Sequence, residues 1–227
     1  MLLTACLGGL IGFQTPEPDL RWRPKVNDRL TYEYSLEAVG GAAMSVTAYL
    51  DITVTQAGEA GFTTRTVSRG ALVTMAGSEI RDNRPNPVTA RFGFRGDLLE
   101  LLEGAKDRGA YELGRGTKFI APPKAVKTGD TWTHSFAAEP DLGVKASNWI
   151  GKYEGITASA QGQRAKVSFT LTDGDKSKDS FSAKGVWMVD VATGIPETLA
   201  AELTQLGGMK QGGNFKFKLT RYRERGG

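Results

Sequence analysis

The chain has 227 residues, a net charge of +4 and a pI near 9.1. That length suits one β-domain or two small ones and is enough to bury a sizeable core. One cysteine, Cys6, and one histidine, His134, exclude an intramolecular disulfide and a Cys/His zinc site.

The other totals narrow the class further. The 29 glycines and many threonines suit strands joined by tight turns. The basic excess is mild, and no concentrated basic face with aromatic platforms points to nucleic acid. The tail Arg221-Tyr222-Arg223-Glu224-Arg225 reads as a solvated terminus. A Ser-His-Asp arrangement would have to use His134, which sits in a strand pattern, and the chain has no G-x-S-x-G elbow. His134 therefore reads as a surface or strand-edge histidine.

In chain order, Met1 to Phe13 is apolar and too short to span a bilayer. Leu3-Thr4-Ala5-Cys6 fits a bacterial lipoprotein box, in which Cys6 would be lipidated. Only five residues precede Cys6, so either the match is accidental or the true start lies upstream. The expectation is a leader and linker over residues 1–20 and a β-rich domain over 21–227.

From Arg21 onward the apolar period is two. Leu30, Tyr32, Tyr34 and Leu36 define one alternating strand, and Val46 to Val54 a longer one. Phe62 to Ser68 returns the chain after Gly58-Glu59-Ala60-Gly61, giving an antiparallel meander. Val88 to Phe94 adds a further strand. Asp97 to Lys106, DLLELLEGAK, is predicted as the one amphipathic helix, with Leu98, Leu99, Leu101 and Leu102 as its stripe.

The middle of the chain, Phe119 to Phe136, is the organising stretch. Pro122-Pro123 blocks helix, Thr128-Gly129-Asp130 turns, and Thr131 to Phe136 opens a strand. Pro24-Lys25-Val26-Asn27-Asp28, followed by a Tyr-bearing strand, echoes it about a hundred residues earlier. The echo fits two similar halves, 21–118 and 119–227, and also fits a chance likeness between two turns. Alternating segments then follow around Trp149 and Tyr153, Val167 and Phe169, Phe181 and Trp187, Leu199 to Leu203, and Phe215 to Leu219. Some ten to twelve strands result. The expected fold is mainly β: a large curved antiparallel sheet or incomplete barrel with one short amphipathic helix.

Few constellations carry chemistry. Asp173 to Asp179 alternates acidic residues as a calcium loop would, but it has Lys178 where glycine is needed and reads as a solvated hairpin tip. The glycines around Lys210 lack the ending of a phosphate loop. Trp132, Trp149, Tyr153, Phe169, Phe181 and Trp187, with Leu98 and Leu102, are the candidate lining of an apolar cavity. The same aromatic set also reads as plain core. No catalytic residue, metal site or cofactor is expected.

Pro123-Lys124-Ala125-Val126-Lys127-Thr128-Gly129-Asp130-Thr131-Trp132, together with Val186 to Gly194, resembles segments of uncharacterised bacterial exported and lipoprotein families. These look like relatives of the LolA/LolB-type lipoprotein-carrier fold. The resemblance implies a sheet cupping helices around an apolar cavity, and brings no catalytic residues with it. The expectation is an exported, non-enzymatic protein, periplasmic or anchored in the cell envelope, that binds a lipid or acyl chain. Any membrane contact would run through an N-terminal lipid anchor. An envelope assembly protein that pairs with a protein partner through a sheet edge is the alternative, and an enzyme the third reading.

Overall fold

The computed structural model describes residues 17–40, 43–159, 162–175, 177, 180–207 and 213–222. Cys6 and the lipoprotein-box residues lie outside the described residues, as do the glycine loop around Lys210 and the end of the basic tail.

Alternating side chains make nearly every described element a strand. The first six are β1 (Arg29–Ala38), β2 (Met44–Gly58), β3 (Gly61–Met75), β4 (Ser78–Asp82), β5 (Pro87–Phe92) and β6 (Leu98–Glu103). After the helix α1 (Arg108–Gly116) come β7 (Thr131–Phe136), β8 (Ser147–Ser159), β9 (Gly162–Asp173), β10 (Ser182–Asp190), β11 (Pro196–Leu206) and β12 (Gly213–Tyr222). Among the described residues a 3-10 turn lies at Pro140–Leu142.

All twelve strands belong to one antiparallel sheet, in the order β6-β5-β3-β2-β1-β12-β11-β10-β9-β8-β7, with β4 paired to the far end of β3. The first half of the chain and the second are each a meander. They join where β1 pairs with β12, Tyr34 lying opposite Leu219 and Leu36 opposite Phe217. The edges β6 and β7 do not pair, so the sheet is not closed into a barrel. This is the mainly β, open antiparallel architecture that the period-two pattern implies.

The two turns that echo each other in sequence make the same hydrogen bonds. The Lys25 amide donates to the Asp28 carboxylate at 2.8 Å, and the Lys127 amide to the Asp130 carboxylate at 2.9 Å. The residue before each aspartate has positive φ, 72° at Asn27 and 95° at Gly129. That backbone is one which only glycine, and less often asparagine, adopts readily. Each turn then locks to the next strand. Asn27 N–H bonds Val54 O and Val54 N–H bonds Asp28 O, while Gly129 N–H bonds Tyr153 O and Tyr153 N–H bonds Asp130 O.

One expectation is overturned. The segment Asp97 to Lys106 is not helical: Leu98–Glu103 is the edge strand β6, paired to β5. Its leucine doublets suit helical spacing, but two register irregularities in the β5–β6 ladder accommodate them in a strand. The helix lies ten residues beyond Leu102 at its midpoint, in RGAYELGRG, which three glycines disguise. It forms because Asp107 caps it, accepting the Ala110 amide at 2.8 Å, and because tertiary contacts hold it. Arg108 bonds the buried Glu112 at 2.7 Å, and Glu112 also accepts the Gly207 amide at 2.6 Å. Buried Arg115 donates to Lys145 O and Ala137 O.

The core occupies one face of the sheet, here the inner face, over β7–β12. There α1, the segment 117–126 and the strap 17–24 lie across the strands. Phe119 meets Trp187 edge-on at 6.0 Å, Ile120 is fully buried, and Trp132 Nε1 donates to Ile120 O at 2.8 Å. Leu20 is fully buried, and the Val126 amide bonds Pro18 O. Asp19 holds the strap in shape through a two-pronged pair with Arg21 and a bond to Arg23. Gly151 leaves room for two rings: a Cβ there would sit 2.4 Å from the Trp149 ring and 2.9 Å from that of Trp132.

Candidate functional site

Paired residues of neighbouring strands share a face, so the register tracks the inner face into the first half. Tyr32 lies opposite Leu50, and Leu30 opposite Ile52. Ile52 lies opposite Thr66, and Thr66 opposite Val88. Phe62 then faces Phe92, Ala90 faces Leu101, and Phe92 faces Leu98. The lower end of this face is covered, with Trp22 edge-on to Phe62 at 5.0 Å and Val54 fully buried. Further along the strands the cover by described residues stops. Tyr34 and Val46, which pack against the core, and Leu50, Ile52, Val88 and Leu101 all remain partly exposed. They form an apolar strip across β1, β2, β5 and β6, with Thr66 and Ser68 of β3 between.

The aromatic residues expected to line a cavity are placed differently. Trp132, Trp149, Tyr153, Phe169, Phe181 and Trp187 are all buried in the core of the second half. Trp149 stacks on Phe169 at 5.6 Å and tilts against Trp132 at 5.9 Å. Their neighbours are the chain's own segments, so these rings are packed interior. Leu98 and Leu102 do not join them, since both belong to the edge strand β6, where Leu102 is half exposed.

Where the strip meets the covered end lies a charged group that sequence reasoning missed. Lys118 follows α1 and places its ammonium 3.5 Å from the centre of the Phe92 ring. Part of the side chain reaches solvent, yet burial pulls its pKa from 10.5 down to about 8, with Asp97 opposing. Among the described residues it makes no side-chain hydrogen bond and no ion pair. Arg95 nearby is committed to backbone, donating to Ala121 O at 2.9 Å and Thr133 O at 3.2 Å across the gap between β6 and β7. His134 sits on edge strand β7 against Phe136, and burial lowers its pKa. The one signal for Lys118 in the sequence is a lone cation ahead of the apolar run Phe119-Ile120-Ala121.

A second buried charge cluster is structural. Glu197 pairs with Arg221 at 2.8 Å and Arg164 at 3.7 Å, and the Tyr32 hydroxyl donates to Pro196 O. Burial pushes the Tyr32 hydroxyl well above its ordinary pKa. At the other end Asp173 is buried and accepts the Phe181 amide, and burial raises its pKa. Asp173 thus closes the hairpin tip that resembled a calcium loop. Among the described residues no group of three His, Cys, Asp or Glu could hold a metal ion, and no helix is long and apolar enough to cross a membrane.

Two open surface depressions, of about 620 and 470 Å³, lie away from the strip. One borders Ile80–Pro85. The other lies on the outer face over Val186 and Ala200, rimmed by Lys184, Lys216 and Lys218. Neither gathers groups that could do chemistry, whereas the inner strip joins exposed apolar surface to an unpaired cation.

Fold and strip together define a class, an open antiparallel sheet with one face half filled by its own chain. The sequence matches no protein-family model and no curated protein.

Proposed function

We propose that the protein is a non-enzymatic binding protein that takes up an apolar chain, from a lipid or other acyl compound, on the inner face of β1–β6. The observation that supports this is the unequal cover of one continuous face. The second half of the face is packed by α1, residues 117–126 and the strap, while Tyr34, Leu50, Ile52, Val88 and Leu101 of the first half remain partly exposed. Exposed apolar surface of this kind gains free energy when a ligand removes it from water. The strip crosses five strands, and four steps of about 4.8 Å make about 19 Å, the reach of a long acyl chain. Export to the cell envelope, by the route that the Leu3–Cys6 box suggests, would place such a protein beside lipids.

Native mass spectrometry with lipid extraction, on protein purified from a bacterial envelope, tests this. A stoichiometric acyl species that is lost in Leu50→Lys supports the reading. An apo mass, together with failure to bind added long-chain acyl compounds, would overturn it.

A second reading rests on a different observation. The edge strand β6 carries Leu99 and Leu102, both half exposed, beside unpaired backbone groups, as a strand-adding protein partner would require. A captured partner whose binding is lost in Leu99→Pro would favour that envelope-assembly role.

A further inference from the structure

We infer that Lys118 anchors the head of the ligand, and that the ligand is a single-chain carboxylate, a long-chain fatty acid, bound with its acid group inward. The inference rests on the reading that the strip binds an acyl chain, and it adds the chemistry of the other end.

Three observations converge on it. First, an ammonium has three N–H donors, and Lys118 spends none of them on a described residue. The Phe92 ring attracts the charge through its face but accepts no full hydrogen bond. A cation brought this far from water with only a through-space interaction with Asp97 is costly, and a carboxylate within hydrogen-bond reach is the partner that relieves it.

Second, the neighbouring charge limits the anion. Asp97 of the β5–β6 connection acts on Lys118 through space without an ion pair, and it acts on His134 as well, whose pKa burial lowers. Arg95 is spent on the carbonyls of Ala121 and Thr133. A monoanion adds one negative charge beside Asp97, whereas a dianionic phosphate would add two.

Third, the placement is right for an amphiphile. Phe92, under the ammonium, begins a line of inner-face residues that continues through Ala90 to Val88, with Leu101 opposite Ala90. Phe92, Leu101 and Val88 are partly exposed while Ala90 is buried, so the exposed surface beyond the cation is that of Phe92, Leu101 and Val88. A chain whose head meets Lys118 can lay its tail along that line without crossing another charged side chain of β5.

The test is displacement of a fluorescent acyl probe from the full-length protein at pH 7. Its competitors are palmitate, hexadecanol and a single-chain phosphodiester lipid. Palmitate is expected to compete at about ten-fold lower concentration than hexadecanol, the effect of one charge-assisted hydrogen bond. Lys118→Met should abolish that preference and leave hexadecanol unchanged, while Lys118→Arg should retain it. The preference should also fade as pH rises above about 8, where the ammonium loses its proton.

Equal competition by acid and alcohol in the wild type would overturn the inference and leave the acyl-chain reading standing. A preference that persists in Lys118→Met would do the same. Stronger competition by the phosphodiester would overturn the carboxylate assignment. Failure of all three competitors would overturn both readings. The wild-type comparison of acid with alcohol decides the matter even if Lys118→Met does not fold.

Discussion

The two halves of the sheet begin alike and end differently. β1–β2–β3 and β7–β8–β9 each start from a lysine-to-aspartate turn with a positive φ before the aspartate, and each continues as an antiparallel meander. In the second half the inner face is sealed by the helix α1, the Phe119-Ile120-Ala121 segment and Leu20. Among the described residues the first half has no equivalent cover beyond its lower end, where Trp22 packs on Phe62. The difference shows that apolar alternation specifies a face, while the connections decide whether that face becomes core or surface. The long connection between β6 and β7 folds back over the second half and reaches the first where Lys118 lies over Phe92 and Ala121 bonds Arg95.

The largest expected effect separates core from strip. Trp149→Ala should destabilise by about 3–5 kcal/mol, and Leu171→Ala by about 2–5 kcal/mol, since both side chains are fully buried. Leu50→Ala, on the partly exposed strip, should cost less than about 1.5 kcal/mol. Urea unfolding of the three variants measures this, and equal losses at Leu171 and Leu50 would erase the distinction between the halves.

The next effect probes the cover itself. Arg115→Met leaves the carbonyls of Lys145 and Ala137 without their donor, at a cost of about 1–3 kcal/mol. Hydrogen exchange should then rise in α1 and in β10 and β11 beneath it, with the first half little changed. Uniform loosening of both halves would show that the cover also supports the open side.

A smaller effect compares the two turns. Gly129→Ala forces a Cβ into φ +95° and should cost about 1 kcal/mol, although nothing lies within 4 Å of the new atom. Asn27→Gly, at φ 72°, should be within a few tenths of a kcal/mol of neutral, because backbone relief offsets chain entropy. A large loss at Asn27 would mean that its turn depends on side-chain contacts rather than on backbone shape.

The smallest effect is acid sensitivity of the strap. The Arg21 and Arg23 guanidiniums hold the Asp19 carboxyl at about pKa 2, below its ordinary 3.8. A carboxyl lowered in the folded state stabilises above its unfolded pKa, and that stability is lost as pH falls toward 2. Asp19→Asn should therefore be less stable than wild type at pH 6, with the gap narrowing between about pH 4 and pH 2. A gap that does not change with pH would assign the role of Asp19 to shape rather than charge.

Much of the fold was legible because strands write their period into the sequence. Alternation at Leu30 to Leu36, Phe181 to Val191 and Phe215 to Leu219 corresponds to β1, to the region of β10 and to β12. The helix was misplaced because Leu98-Leu99-Glu100-Leu101-Leu102 satisfies helical spacing as well as a bulged strand, and pairing with β5 decides between them. The candidate site was the least legible part. Trp132, Trp149 and Trp187 read both as a ligand lining and as plain core, since nothing local tells a ring in a cavity from a ring under the chain's own helix. Lys118 carried no motif at all, and it is singled out only by the arrival of Phe92 beneath its ammonium.

The sequence by itself determined the class of structure: an antiparallel β protein with two like turns and no metal-binding cysteine–histidine set. Period, turn chemistry and residue counts are local properties, so they can be read along the chain. Only the tertiary structure decided which half of the face is filled, which segment is helical and where a cation stands with no hydrogen-bonding partner among the described residues. Those depend on residues far apart in sequence, such as Phe92 with Lys118 and Gly116 with Phe181, brought together by the order in which the strands pair.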